Sequence, residues 1–187
     1  MVRKIPVRWF GENARRSLKK TGQIISWYTR LFLSRLKPVY SFSAHTLLVH
    51  GSPFEPLTEY LLNCDDAADA LQYLRAENLR LCFCGHTHQA ALYYSGQNSP
   101  CTAVYPLPDE TYTLEHESCI VNPGSVGVPR AFEGTVKHLA ALEDISSYPA
   151  YFALWDTQKR TVTFKDVRYD ARITDEKNRR VMGRPLF

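Results

Sequence analysis

Leu79-Arg80-Leu81-Cys82-Phe83-Cys84-Gly85-His86-Thr87-His88 is a short apolar run that stops at a glycine and two histidines. Its length and composition predict a buried strand over Leu79 to Phe83. The glycine lets the backbone turn sharply and approach a ligand closely. The same arrangement occurs twice more. Upstream, Thr46-Leu47-Leu48-Val49 runs directly into His50-Gly51-Ser52-Pro53. Downstream, Cys119-Ile120-Val121 runs into Asn122-Pro123-Gly124-Ser125-Val126-Gly127. In α/β sheets, ligands bind in the crevice beyond the carboxyl ends of strands. Three strand ends that each carry a histidine or asparagine beside a glycine therefore predict one shared site.

The histidines suit a metal. In an extended stretch the Cα atoms of His86 and His88 lie ~6.5–7 Å apart, and imidazole nitrogens bind metals at roughly 2.0–2.1 Å. The two rings can converge on one ion or serve two ions ~3.5–4 Å apart. Three histidines alone make an open, zinc-like site. A second metal needs bridging carboxylates, and no strand end carries one. The lone histidines His45, His116 and His138 read as packed or solvent-facing residues.

Outward from these strands, the spacing of Leu18, Ile25, Tyr28, Phe32 and Leu36 predicts one helix from about Asn13 to Lys37 that packs by this stripe and ends at Pro38. A second helix is expected over Cys64 to Glu77, capped by Asp65 or Asp66, with Ala68, Leu71 and Leu74 inward. Further strands are expected over Ala90 to Tyr94, Thr111 to Leu114, Tyr151 to Trp155 and Thr161 to Val167, the last two joined by a turn at residues 156–159. Segments 95–118 and 131–149 read mostly as long links, and residues 171–187 as a polar tail that forms a short helix or frays.

The chain has 187 residues, 44% hydrophobic and 22% charged, the composition of one globular domain with a core. No run approaches ~20 apolar residues, so no membrane span is expected. Residues 1–40 hold ten Lys/Arg and a single acidic residue, Glu12, although the whole chain is only +4. This basic helical region, 1–37, carries no nucleic-acid recognition motif, so a solvated face is the simpler reading. The five cysteines are odd in number and their spacing suggests no disulfide framework. Cys82 and Cys84 are expected to pack on one face. A reducing cytoplasm is the corresponding expectation.

Leu48-Val49-His50-Gly51-Ser52-Pro53, Gly85-His86-Thr87-His88 and Asn122-Pro123-Gly124-Ser125-Val126-Gly127-Val128-Pro129-Arg130, in this order, resemble the calcineurin-like metallophosphoesterases, in particular the small bacterial and archaeal phosphodiesterases. The likeness runs from about Asn13 to Asp170. It implies an α/β fold: a partial β-sandwich flanked by helices and lacking its first strands. It implies a cytoplasmic hydrolase with two divalent metals (Mn, Fe, Ni or Zn), His50 and His86 on one and His88 on the other. Gly51, Gly85, Asn122, Gly124 and Ser125 become loop-shaping residues, and Arg130 a partner for a substrate phosphate. The substrate class is a phosphoester.

The likeness starts partway through the family pattern. Asp-x-His, Gly-Asp-x-x-Asp and Gly-Asn-His, which supply the bridging aspartate, an asparagine ligand and the acid-base histidine, have no counterpart between Met1 and Arg16. The expectation is an incomplete single domain over 1–187, truncated or split, that needs a complementing N-terminal chain or a homo-oligomer. Open sheet edges and exposed apolar surface follow from that expectation. The competing reading is a non-catalytic scaffold of the same fold. Nucleic-acid binding by the basic arm ranks last.

Overall fold

The computed structural model describes residue 6 and residues 10–96, 99–127 and 149–183. The chain divides into two compact units, Met1–Pro38 with Ile173–Phe187, and Val39–Arg172.

The first unit holds helices α1 (Glu12–Ile24) and α2 (Trp27–Arg35), with most of α4 (Ala171–Met182). The single N-terminal helix expected from the apolar stripe is broken. Ile25 is extended, and Ser26 starts a new helix by accepting a hydrogen bond from the Thr29 N–H at 3.2 Å. A serine hydroxyl that satisfies an otherwise unpaired N–H is a strong start signal, and here it overrides the periodicity. The stripe does not pack either: Leu18, Tyr28, Phe32 and Leu36 are exposed, and no residue of α2 is buried. Among the described residues, no helix is long and apolar enough to cross a membrane.

The second unit is a two-layer β structure with a helix on one face. Its elements are β1 (Val39–Ser43), β2 (Thr46–Val49), α3 (Cys64–Ala76), β3 (Leu81–Phe83), β4 (Ala90–Gly96), β5 (Ser99–Val104), β6 (Thr111–Thr113), β7 (Cys119–Pro123), β8 (Pro149–Asp156) and β9 (Thr161–Arg168). The larger sheet has the order β1-β2-β3-β7-β4-β5, and the smaller β6-β9-β8. Strands β2, β3 and β7 are parallel neighbours; the other pairings are antiparallel.

The residue alternation of the strands sorts the core into two layers. Leu47, Cys82, Ala91, Tyr93 and Ile120 face α3, which contributes Ala67, Ala70, Leu71 and Leu74. Full burial of each such leucine stabilises by roughly 1.5–3 kcal/mol. Leu81, Leu92, Cys119 and Val121 face the smaller sheet and meet Val162 and Phe164 of β9.

Several details differ from the sequence reading. The α3 cap is Asn63, whose Oδ1 accepts from the N–H groups of Asp65 and Asp66. The inward face includes Ala67 and Ala70, with Ala68 only half-buried. Segment 95–118 is not an irregular link: it builds β5 and β6. Strand β5 carries Pro100, which a sheet tolerates at an edge, and β5 is an edge strand. Segment 131–148 and His138 lie outside the described residues.

Cys82 and Cys84 are both buried in the core facing α3. Desolvation pushes the Cys82 thiol up to about 12 and holds the Cys84 thiol well above its ordinary value, so both stay protonated and inert. Cys64 and Cys101, in contrast, form a disulfide, with Cα atoms 5.5 Å apart. It ties the start of α3 to β5. Sequence spacing missed it because β5 itself was not recognised. With this bond present, cysteine usage gives no argument for a reducing compartment.

Candidate functional site

The parallel run β2-β3-β7 places the turns at His50, Gly85 and Asn122 side by side at one edge of the larger sheet. Backbone bonds lock the three ends together. Gly85 N–H donates to the His50 carbonyl at 2.9 Å, and Cys84 N–H donates to the Val121 carbonyl at 2.9 Å.

Asn122 is the clamp between turns. It is 1% exposed. Its Nδ2 donates to the Gly85 carbonyl and to Thr87 Oγ1, both at 2.8 Å, and its Oδ1 accepts from Gly124 N–H at 3.0 Å. All of the amide's bonds hold loop backbone or a loop hydroxyl. The Ser125 carbonyl accepts from the Tyr151 N–H at 2.9 Å, and Ser125 Oγ accepts from the Gly127 N–H at 3.3 Å. Gly124 has φ +92° and lies against Tyr151, whose Cβ stands 2.8 Å from where a glycine substituent would begin. Both facts require glycine there.

The loop after His50 is equally tight. Gly51 N–H donates to the Pro56 carbonyl at 2.7 Å. A methyl at Gly51 would stand 2.6 Å from the Glu55 carbonyl oxygen and 2.9 Å from that of Glu59. Ser52, fully buried, accepts from Phe54 and Glu55 N–H groups and donates to the Glu59 carboxylate.

The histidine turn is not extended. His86 and His88 have φ of +67° and +64°, the left-handed region. Between and after them, Thr87 and Gln89 are buried, while the two histidines are half-buried. The rings of His50 and His86 stand 4.6 Å apart, edge to face. Tyr60 stacks on His86 at 4.0 Å. This tyrosine was missed in the sequence, because it sits in a loop outside the motifs, ten residues after His50. Solvent reaches His50, yet its pKa lies below 6.5, first through partial desolvation and then through the charge of His88. A neutral imidazole at pH 7 keeps the lone pair a metal needs.

The donor set is incomplete for two metals. Among the described residues, no group of three or more His, Cys, Asp or Glu side chains is placed to hold an ion. His50 and His86 approach each other without a carboxylate beside them among the described residues that would make a three-ligand group. Arg130 lies outside the described residues. Of the other histidines, His45 Nδ1 bonds the Asn78 carbonyl at 2.7 Å, and His116 stacks on Tyr94 at 3.9 Å.

With its loops gathered at parallel strand ends, the chain has a metallophosphoesterase-like fold. It is similar to a metallophosphoesterase from Sphaerobacter thermophilus at 26% identity and a TM-score of 0.72. That match covers 97% of this chain and 66% of the other, so the chain spans less than two thirds of that protein's length. It is also similar to a hypothetical protein from Pyrococcus horikoshii OT3, with 18% identity, a TM-score of 0.61, and coverage of 95% and 58%. No family model matches the sequence. No curated protein matches it.

Proposed function

We propose that the three strand ends form the histidine half of a dinuclear centre for phosphoester hydrolysis. Carboxylates other than those of the described residues would complete it. The observation that carries this reading is the approach of His50 and His86 to 4.6 Å at adjacent parallel strand ends, within a metallophosphoesterase-like fold. His50 and His86 would hold one divalent ion (Mn, Fe, Ni or Zn), and His88 the other. When bound, such ions lower the pKa of water and neutralise charge on the phosphoryl oxygens.

The chain's own residues prepare the site. The lowered pKa of His50 keeps its ring neutral and ready to coordinate. Stacking on Tyr60 restricts the rotation of the His86 ring. Asn122 fixes the turn that carries His86 and His88 relative to the end of β7. Arg130 would pair with a substrate phosphate.

Metal content of the purified chain tests this. After loading with Mn, Fe, Ni or Zn, we expect bound metal that falls at least tenfold in His50→Ala and His86→Ala. No bound metal under any loading condition defeats the proposal. One observation favours a second reading, a non-catalytic scaffold: among the described residues, no three-ligand group is assembled. A stoichiometric partner whose binding survives His86→Ala, together with no metal uptake, would support it.

A further inference from the structure

The first unit carries the chain's surplus of positive charge. Its described residues hold ten Lys or Arg against three Asp or Glu. Arg16, Lys19 and Lys20 stand three and four residues apart on α1 and so share one side of the helix. With Arg180 of α4 they line a groove of about 480 Å³. Among the described residues no carboxylate lines this groove, and none of the four cations makes an ion pair. The carbonyl end of α4 borders the groove and offsets about half a charge, against four. Cations gathered without a counterion repel one another, so the groove favours an anion.

The same unit shows apolar side chains to water. Arg30 ties α2 back to α1, its Nη2 donating to the Gly22 carbonyl at 2.5 Å. On α2, Trp27 is 77% exposed, Tyr28 65%, Phe32 62% and Leu31 43%. Trp27 and Leu31, and Tyr28 and Phe32, are each four residues apart, so the four form one continuous side. Leu36, 48% exposed, follows four residues after Phe32. Arg35 stands among them in the last turn. A long cationic side chain there keeps its stem against apolar surface and its head in a polar layer. Nine residues at 1.5 Å each make α2 about 14 Å long, half of the ~30 Å needed to cross a bilayer core. Such a helix suits the plane of a membrane interface, where Trp and Tyr concentrate.

We propose that the first unit docks on an anionic lipid surface, with the apolar side of α2 in the headgroup layer and lipid phosphates at Arg16, Lys19, Lys20 and Arg180. The two features call for one partner that is apolar and anionic together. Nucleic acid satisfies the cations and stacks on aromatic rings, but it leaves Leu31 and Leu36 in water. A second copy of this chain would cover the apolar side, yet a two-fold contact sets equal positive surpluses against each other. An anionic lipid surface meets both needs, because apolar burial and attraction to the headgroups add. This inference stands on the first unit and does not use the metal reading.

Flotation of the full chain tests this, with vesicles of phosphatidylcholine and of phosphatidylcholine mixed equally with phosphatidylglycerol. We expect binding to the anionic vesicles at least tenfold tighter than to the neutral ones, weakening as salt rises. The double variant Lys19→Gln/Lys20→Gln should weaken it at least tenfold. So should Trp27→Ser/Phe32→Ser. All four positions are exposed, so the fold is kept. Tyr40→Ser, at an exposed position of the second unit, should leave binding unchanged. Absent binding, equal binding to both vesicles, or binding that ignores either double variant overturns the proposal. An equal loss in Tyr40→Ser overturns it too. A random-sequence oligonucleotide bound more tightly than the anionic vesicles, through Lys19 and Lys20 and without Trp27 and Phe32, would assign the groove to nucleic acid instead. A dimer in solution that Trp27→Ser/Phe32→Ser makes monomeric would assign α2 to a second copy and likewise overturn it. No metal enters the readout, so failure of metal loading leaves this result intact, and the reverse.

Discussion

Replacing Asn122 by alanine tests whether the clamp between turns is the element that shapes the candidate site. The side chain is 1% exposed and makes three hydrogen bonds, to the Gly85 carbonyl, Thr87 Oγ1 and Gly124 N–H. Each bond contributes about 0.5–1.5 kcal/mol net, so the loss should be about 3 kcal/mol. For a unit of this size, 1 kcal/mol moves the Tm by roughly 2–4 °C, which gives a fall of roughly 6–12 °C. Asn122→Asp separates the contributions. It keeps the acceptor for Gly124 N–H, removes both donors, and faces a carboxylate toward the Gly85 carbonyl. It should be at least as destabilised as the alanine variant. Urea unfolding followed by circular dichroism measures both, at pH 7 and constant salt. An alanine variant within about 1 kcal/mol of the parent would refute the reasoning, because the three loop contacts would then be dispensable.

Gly51→Ala pushes a methyl into two backbone carbonyls, and overpacking of this kind costs about 1–3 kcal/mol; equilibrium unfolding measures it, and a neutral result would show that the 50–59 loop yields freely. Reduction of Cys64–Cys101, or Cys64→Ser, releases a loop spanning 37 residues and should lower stability by roughly 2–4 kcal/mol, read as a drop in the urea midpoint. Ser26→Ala removes the cap of α2 at about 1 kcal/mol; amide exchange over residues 27–30 should speed up several-fold while exchange in β7 stays unchanged.

Short apolar strands beside glycine were readable from sequence because burial leaves a continuous hydrophobic run. β3 and β7 are of this kind, as is β2 although its Leu48 is exposed, and they carry the histidine and asparagine turns. The edge strands were not. Val39-Tyr40-Ser41-Phe42-Ser43 and Ser99-Pro100-Cys101-Thr102-Ala103-Val104 mix polar and apolar residues, since edge strands face solvent. The disulfide was hidden with β5, because a cysteine pair is visible only when both elements are placed. Helical periodicity from Leu18 to Leu36 did not reveal that Ser26 divides the segment. The polar partners of the site were also out of reach. Tyr60 meets His86 only through the fold of the loop after Gly51, and the three bonds of Asn122 depend on β3 lying beside β7.

The left-handed backbone at His86 and His88 has a consequence for how this protein would change in the laboratory. A side chain other than glycine in that region is disfavoured by roughly 1–2 kcal/mol per residue, and two such residues stand with only Thr87 between them. Selection for heat endurance alone would therefore favour glycine at both positions. It would yield sturdier descendants with the same architecture and no imidazoles at the turn, so endurance and metal uptake should be screened together.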